Sequence, residues 1–235
     1  MSDFENRIIV VTGAAGNLGR AVVNAFLEKD GTVCALDHRQ GRLESIFGHD
    51  SKGVHFFEGI DSTDREAMFQ VAGEIISRLE PVDVLVNTVG GFSMGQRVDE
   101  ITTDTWAHMI ALNVTPLLNA AAAFVPGMLS AGQGKIVTIG AGASMKGGAR
   151  MGAYSAVKSA VLRLTESMAA ELKPSHIRVN CVLPGTIDTP ENRQAMPEAN
   201  FDQWVKPEQI AKVILYLSSP ASDAVTGAAI PATGG

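Results

Sequence analysis

The fold of this chain is decided by residues 7–19, which read Arg7-Ile-Ile-Val-Val-Thr-Gly-Ala-Ala-Gly-Asn-Leu-Gly19. The first half is a β-branched, apolar run that ends in glycine, which is typical of a buried strand. Residues 17–29 then repeat apolar side chains at helical spacing, and Gly31 ends the helix. A strand, a glycine-rich turn and a helix in this order open a parallel βαβ unit.

The same alternation continues to the end of the chain. Further strands are predicted at 32–37, 54–57, 82–87, 135–139, 177–183 and near 228–231, and helices at 63–79, within 105–134, at 153–172 and at 207–218. Strands that alternate with helices predict an α/β fold. We expect a single-domain Rossmann-type doubly wound parallel sheet of about seven strands, with helices on both faces. The sequence has no linker, repeat or low-complexity tract, so residues 1–235 are predicted to form one domain.

Composition and charge exclude several classes of protein. The 235 residues are 46% hydrophobic and 19% charged, which is typical of a globular chain with a sizeable core. The net charge is −6 and Lys and Arg form no cluster, so nucleic acid is not an expected partner. Cys34 and Cys181 lie in apolar runs, which predicts buried thiols in a reducing compartment. With no secretory leader at the start, we expect a cytoplasmic protein, and the five histidines have no metal-ligand spacing.

Residues 105–134 contain no Asp, Glu, Lys or Arg. Asn113, Pro116, Asn119 and Pro126 interrupt the stretch, whereas a membrane span needs about 20 predominantly apolar residues. A helix that is apolar nearly all round is buried on more than one side. We therefore predict no membrane contact, and a homodimer or homotetramer that associates through the helices of 105–134 and 153–172.

The glycine turn predicts a site for a dinucleotide. Gly13, Gly16 and Gly19 allow a tight turn, close approach of a pyrophosphate and close packing of the helix. The helix that begins at Asn17 and Leu18 offers its positive end to phosphate. A purely structural turn is the alternative, but the preceding strand and following helix are the context in which such a turn binds a nucleotide.

Two carboxylates are candidates for the adenosine half of that dinucleotide. Asp37 ends the second strand, where a carboxylate hydrogen-bonds the ribose hydroxyls and repels a 2′-phosphate. This favours NAD(H), although Arg39 could hold the phosphate of NADP(H), which is not excluded. Asp61 follows the third strand, and two interpretations stay open: a contact with the adenine amino group, or a cap of the next helix.

A tyrosine–lysine pair carries the predicted chemistry. Tyr154 and Lys158 stand at i and i+4 near the start of a long helix, so the phenol and the ammonium share one face. A phenol has an unperturbed pKa near 10. An adjacent cation stabilises the phenolate, so we expect a lowered pKa and proton exchange near neutral pH.

These motifs together resemble the short-chain dehydrogenase/reductase family along essentially the whole chain. The matching pieces are the turn at 12–19, Asn87-Thr-Val-Gly90, Asn113 after Trp106, Tyr154-Ser-Ala-Val-Lys158, and Pro184-Gly185 with Thr189. The resemblance implies that Tyr154 is the general acid/base and that Lys158 holds the nicotinamide ribose while lowering the tyrosine pKa. It implies that Asn113 anchors a water of the proton relay and that Ile187 and Thr189 contact the carboxamide. It also places four residues at the cofactor: Asn87, Gly90, Pro184 and Gly185.

The sequence departs from the family pattern at two positions. Asn17 replaces a glycine that is usual in the turn, and Ala141 stands where the family has its catalytic serine. A hydroxyl that would polarise a substrate carbonyl is therefore missing. Ser144, three residues later, is a candidate substitute for this hydroxyl; an ordinary loop serine is the alternative.

Two segments point to a subgroup. Residues 188–204 and Val89-Gly-Gly-Phe92 resemble dihydropteridine reductases, which also lack the serine. A quinonoid dihydropterin is electron-poor, so it accepts hydride without strong carbonyl polarisation. Phe92, Phe201 and Trp204 are candidates for a stacking wall against a flat substrate, with core packing as an equal alternative for Trp204. Residues 190–206 are predicted to be a mobile flap over the substrate.

Three functions stay open at this point. The first is an NAD(P)H-dependent reductase of a small conjugated substrate, such as a quinonoid dihydropteridine. The second is a general carbonyl or alcohol oxidoreductase that uses Ser144 in place of the missing serine. The third is a non-catalytic NAD(P)-binding sensor, against which the intact Tyr154, Lys158 and Asn113 argue.

Overall fold

A computed structural model of the protein describes residues 3–49 and 52–234. Within them the chain forms one seven-stranded parallel sheet, in the order β3-β2-β1-β4-β5-β6-β7. The strands are β1 (Ile8–Thr12), β2 (Thr32–Asp37), β3 (Val54–Glu58), β4 (Val84–Asn87), β5 (Gly134–Ile139), β6 (Ile177–Pro184) and β7 (Ala229–Ala232). The predicted Rossmann-type fold is confirmed.

Helices cover both faces of the sheet. They are α1 (Asn17–Leu27), α2 (Arg42–Phe47), α3 (Arg65–Arg78), α4 (Thr103–Asn113), α5 (Thr115–Ala131), α6 (Gly152–Leu172), α7 (Pro190–Ala195) and α8 (Pro207–Ser218). Side chains of α1 and α8 form one core with one face of the sheet, and those of α3, α5 and α6 form a second core with the other face. In β1, Ile9 and Val11 point into the first core and Val10 into the second, as the two-residue period of a strand requires.

The strand order creates the crevice in which a site can form. β1 lies between β2 and β4, so the chain reverses its direction of winding at the β1–β4 boundary. Parallel register puts Thr12 beside Asn87 at the carboxyl ends of these two strands. Open α/β sheets bind ligands outside the carboxyl ends at such a switch point, because the loops diverge there.

The charge-free region is two helices rather than one. α4 ends at Asn113, and α5 begins at Thr115 with Pro116 in its first turn, where the ring is tolerated. By length and composition alone Thr103–Ala131 is apolar enough to cross a membrane, with a mean hydropathy of 1.5, a property that core helices share. Half of its most apolar part is buried inside the protein, where α5 packs on the sheet and on α3.

Two short helices were not expected from the sequence. In α2, the Glu58 carboxylate accepts the N–H groups of Gly41 and Leu43, at 2.6 Å each, so a side chain from β3 caps the helix. α7 forms inside the predicted flap, where Thr189 accepts the N–H of Asn192 at 3.2 Å. Six-residue helices have little intrinsic stability. Their ends therefore depend on contacts that helical spacing does not reveal.

Candidate active site

Two adjoining cavities lie at the carboxyl ends of the strands. The larger has a volume of about 490 Å³ and the smaller about 350 Å³. They share Gly13, Gly16, Thr88 and Gly90, at the boundary between β1 and β4. The two cavities meet at the glycine turn, the smaller extending to Asp37 and the larger to Tyr154.

The glycine turn has the shape that a pyrophosphate requires. Gly13 has a φ of +68°, a conformation that favours glycine. A Cβ on Gly19 would lie 2.2 Å from the carbonyl oxygen of Gly13, so only glycine lets α1 pack against the turn. Gly16 is the N-cap of α1 and has no side chain to bond the first N–H groups of the helix. Asn17 and Leu18, in the first turn of α1, border the larger cavity. The unbonded N–H groups of this turn suit the binding of an anion.

Asp37 lies at the floor of the smaller cavity with 3% of its surface exposed. One carboxylate oxygen accepts the N–H of Ala15 at 3.0 Å, and the other accepts the side chain of Arg39 at 3.0 Å. Burial opposes the charged form, but the hydrogen bonds from Arg39 and Ala15 outweigh it and hold the pKa of Asp37 below its usual value. A fixed negative charge thus marks this end of the cleft.

Asp61 also borders the smaller cavity, and it does not cap a helix. Its carboxylate accepts the N–H and the hydroxyl of Thr63, at 2.8 and 2.7 Å, and these bonds lower its pKa. α3 is capped by Asp64, whose carboxylate accepts the N–H groups of Glu66 and Ala67. The capping interpretation of Asp61 is therefore wrong, and its place beside Asp37 leaves the adenine contact as a prediction.

Lys158 and Asn113 meet against the backbone at Gly90. The Lys158 ammonium donates to the carbonyl oxygen of Ile139 at 3.0 Å. The Asn113 side-chain oxygen accepts the N–H of Gly91 at 3.1 Å. A Cβ on Gly90 would be 3.0 Å from both side chains, so the glycine is what allows the two polar groups to converge. Both are almost fully buried, at 5% and 1% exposure.

The pKa of Tyr154 is shifted in the direction opposite to the expected one. Burial raises the pKa of the phenol to about 12 and lowers the pKa of Lys158 to about 8. The expected lowering by the neighbouring cation is wrong for this structure, because removal from water disfavours both charged forms and the ammonium bonds Ile139 instead. The ring of Phe92 packs edge-on against Tyr154, with centroids 4.9 Å apart.

Most predicted site residues come together at the cleft. The larger cavity is bordered by Gly13, Gly16, Asn17, Leu18, Gly19, Gly90, Phe92, Tyr154, Lys158, Pro184, Gly185, Ile187 and Thr189. Asn87, Asn113, Ser144 and Trp204 are not among the described residues that border either cavity. Asn87 is turned away, since its oxygen accepts the hydroxyl of Thr12 at 2.7 Å and ties β4 to β1. Trp204 is half-buried and packs on Phe201 of the same segment, with ring centroids 4.8 Å apart.

Ser144 has a structural task and does not replace the missing serine in this structure. Its hydroxyl oxygen accepts the N–H of Ala141 at 3.1 Å, and its carbonyl oxygen accepts the hydroxyl of Ser159 at 2.9 Å. Ser144 is 7% exposed. The serine therefore fixes the loop after β5 to α6, the helix that carries Tyr154. Ala141 does border the cavity, so a methyl group occupies the position of the family's hydroxyl.

The flap is braced on both sides. Arg193 pairs with Asp188 through two contacts, at 2.6 and 2.8 Å, and its guanidinium lies 4.7 Å from the centre of the Phe201 ring. The side-chain amide of Asn17 donates to Glu191 at 2.8 Å, so the residue that replaces a family glycine links the turn to α7.

Several bordering residues had no assigned role in the sequence analysis. They include Thr88, Ala143, Met151, Asn192 and Met196. For two of them the sequence position indicates a place near the site. Met151 lies one helical turn before Tyr154, and Met196 lies in the predicted flap. Among residues 3–49 and 52–234, no group of three or more His, Cys, Asp and Glu side chains is placed to hold a metal ion.

A nucleotide cradle joined to a half-buried tyrosine and a buried lysine defines the class of this protein as an NAD(P)-dependent oxidoreductase. The family model for short chain dehydrogenase matches residues 7–200. The chain belongs to the short-chain dehydrogenase/reductase family.

Three relatives illustrate the similarity. The rat protein dehydrogenase/reductase SDR family member 6 (Rattus norvegicus) is 32% identical over 100% of this chain and 99% of its own length. The 3-oxoacyl-[acyl-carrier-protein] reductase FabG of Thermotoga maritima is 30% identical over 99% and 98%. A 3-oxoacyl-[acyl-carrier protein] reductase of Brucella melitensis with bound NAD is 30% identical, covers 98% and 91%, and has a TM-score of 0.86. The dihydropteridine reductase resemblance is not supported by these relatives and stays a hypothesis.

Proposed function

We propose that the protein uses NADH to reduce a small, conjugated, electron-poor acceptor. The observation that carries the proposal is that Tyr154 and Lys158 are intact while Ala141 puts a methyl group where the family has its polarising hydroxyl. Removing one such donor from other enzymes lowers kcat by about 10²–10³. An acceptor that is already electron-poor needs this donor least. A quinonoid dihydropteridine is one such substrate, and a quinone is another.

The chain's own residues supply a proton and hold the reactants. When bound, the nicotinamide supplies the hydride, which carries two electrons to the acceptor. Tyr154 then donates one proton, so the acceptor gains two hydrogens in all. Burial raises the pKa of Tyr154 to about 12, so at neutral pH the phenol carries the proton that it would donate.

Lys158 and Asn113 would complete the site. The Lys158 ammonium uses one N–H on Ile139 and has two more with which to hold the nicotinamide ribose. Asn113 lies beside it at Gly90, where its oxygen could anchor the water that returns a proton to Tyr154. Ile187 and Thr189 border the same cavity and would contact the carboxamide.

NAD(H) is proposed as the preferred cofactor. The Asp37 carboxylate is charged and fixed at the floor of the smaller cavity, where it would repel a 2′-phosphate. Arg39 is paired with Asp37, which reduces its value as a phosphate ligand. Calorimetry with NADH and NADPH tests the preference. Tighter binding of NADPH would contradict it.

A general carbonyl or alcohol oxidoreductase is the second candidate, and the carbonyl-reducing names of the FabG relatives favour it. The position of Ser144 opposes it, since Ser144 is not among the described residues that border either cavity. The two candidates separate in one experiment, in which stopped-flow absorbance follows NADH oxidation with quinonoid dihydrobiopterin, naphthoquinone and simple ketones. Turnover of ketones alone would overturn the first proposal. Turnover of none, with tight NADH binding, would favour the sensor.

We also propose a homodimer or homotetramer in the cytoplasm. Trp106 on α4 and Leu118 and Leu129 on α5 are large apolar side chains that are 40–45% exposed, and a second subunit would cover them. α6 packs against α4 and would extend the same surface. Cys34 and Cys181 are buried free thiols, as suits a reducing compartment. Sedimentation of the protein at micromolar concentration tests the assembly, and a monomer would contradict it.

A further inference from the structure

We propose that the outer part of the larger cavity is an apolar subsite that selects uncharged acceptors carrying an apolar substituent. Its specificity-determining residues are Phe92, Met151 and Met196, which we call the outer subsite. The inference rests on the proposed function, because it names the class of acceptor that the same site takes.

The first observation is the charge of the cavity. Among the described residues that border it, Lys158 is the only one with a charged side chain. Its ammonium is buried beside Asn113 and bonded to Ile139, at the place that the nicotinamide ribose would occupy. A carboxylate, phosphate or sulfonate on the acceptor would lose its water without gaining a counter-ion. Such a loss is costly in an apolar environment.

The second observation is the apolar surface at the mouth. Phe92 is 56% exposed and Met196 is 40% exposed, although both are large apolar side chains that border the cavity. Exposed apolar surface next to a site is typical of a place where a ligand binds, because contact between apolar surface and water costs free energy. A bound ligand removes that contact. The Phe92 ring touches Tyr154, so this surface begins at the proton donor.

The third observation is how the two methionines are held. Met151 precedes α6, and the loop before it is tied to the loop after Phe92 by two hydrogen bonds between Gly95 and Arg150, at 2.9 and 2.8 Å. Met196 follows α7, which the Asp188–Arg193 pair braces. Thioether side chains are flexible and polarizable, so two of them on braced loops can close on substituents of different shape. The subsite is therefore apolar and adaptable at once.

The experiment measures kcat and KM with NADH for naphthoquinone and for its alkyl derivatives from methyl to butyl. We expect kcat/KM to rise about fourfold for each methylene that the subsite buries. For naphthoquinone sulfonate we expect kcat/KM to be at least about tenfold lower than for naphthoquinone. Met196→Gln and Met151→Gln keep the side-chain length but add an amide. Each is expected to flatten the alkyl dependence of kcat/KM, with the change in KM rather than in kcat, because neither residue supplies a proton or a hydride.

Met145→Gln is the matched control. Met145 is 65% exposed and is not among the described residues that border the cavity, so the alkyl dependence should persist in this variant. An alkyl series that is flat in the wild-type protein, or one that Met145→Gln flattens equally, would overturn the subsite.

Calorimetry separates this inference from the proposed function. Alkyl hydroquinones are titrated into NAD⁺-loaded protein, where no turnover is needed. Affinity that rises with alkyl length supports the subsite even if no quinone is reduced. The absence of quinone reduction would contradict only the proposed function. Affinity that is independent of alkyl length overturns the subsite whatever the activity assay gives.

Discussion

Replacing Ala141 by serine would restore the polarising hydroxyl that this chain lacks. Ala141 borders the cavity on the loop after β5, and its backbone is extended at φ −163° and ψ 164°, which any residue adopts. The substitution adds one oxygen and leaves the N–H of Ala141 free to keep its bond to Ser144. The new hydroxyl would lie on the same cavity as Tyr154, so both could donate to one substrate oxygen.

The magnitude follows from what one such donor contributes elsewhere. A positioned donor to a developing oxyanion changes kcat by about 10²–10³, or about 2.7–4 kcal/mol. We expect Ala141→Ser to raise kcat/KM for simple ketones by up to that factor. For an electron-poor quinone or quinonoid dihydropterin we expect less than about a threefold change. The assay is stopped-flow NADH oxidation with both classes of acceptor.

Ala143→Ser is the control, because Ala143 borders the same cavity two residues further along the loop. It adds the same oxygen at a position that the family pattern does not use. Equal gains from the two variants would mean that general polarity, not a placed donor, limits ketone reduction. Equal gains of Ala141→Ser on ketones and quinones would refute the argument that the missing hydroxyl selects electron-poor acceptors.

Four further outcomes are expected. Tyr154→Phe should lower kcat by about 10²–10⁴ while calorimetry still detects NADH binding, since the phenol supplies a proton and not the cradle; unchanged turnover would remove its role. The pKa of Lys158 falls from 10.5 to about 8 on folding, so between those pH values the unfolded chain binds more protons and stability rises with pH. Denaturant unfolding at several pH values gives the free energy of unfolding of the wild type and of Lys158→Met. The difference between the two should rise with pH, and a difference that is independent of pH would contradict the prediction. Gly19→Ala should lower the free energy of unfolding by about 1–3 kcal/mol, because its Cβ would meet the carbonyl oxygen of Gly13 at 2.2 Å. Thermal unfolding measures this loss, and an unchanged Tm would show that the turn can rearrange to accept the side chain. Trp106→Glu should give a smaller species in sedimentation than the wild type, and an unchanged assembly would place the interface elsewhere.

Local spacing was enough for the fold and for most of the site. The β-branched run before Gly13 and the apolar spacing after it predict β1 and α1, since both depend on neighbours along the chain. The same holds for Tyr154 and Lys158, which share a helix face because they are four residues apart. Asp37 ends a strand, and the carboxyl ends of parallel strands meet at one edge of the sheet. The sequence by itself therefore determined the sheet, the cradle and the catalytic pair.

The tertiary structure decided what depends on distant partners. Ser144 is hydrogen-bonded to Ala141 and Ser159, and Asn87 is hydrogen-bonded to Thr12 of the neighbouring strand. The sequence predicted both residues at the site, but these bonds hold them in the scaffold. The direction of the pKa shift of Tyr154 reversed because burial is set by packing from several elements, and spacing to a lysine says nothing about lost water.

The substrate end of the cleft shows the same division. Met196 borders it only because the flap forms α7, a helix whose brace joins Asp188 to Arg193. Short segments with weak intrinsic preference take their conformation from such long-range contacts. The strong periodicities of the sheet and long helices belong to the chain itself. The residues of the proposed outer subsite come from separate segments and are brought together by folding.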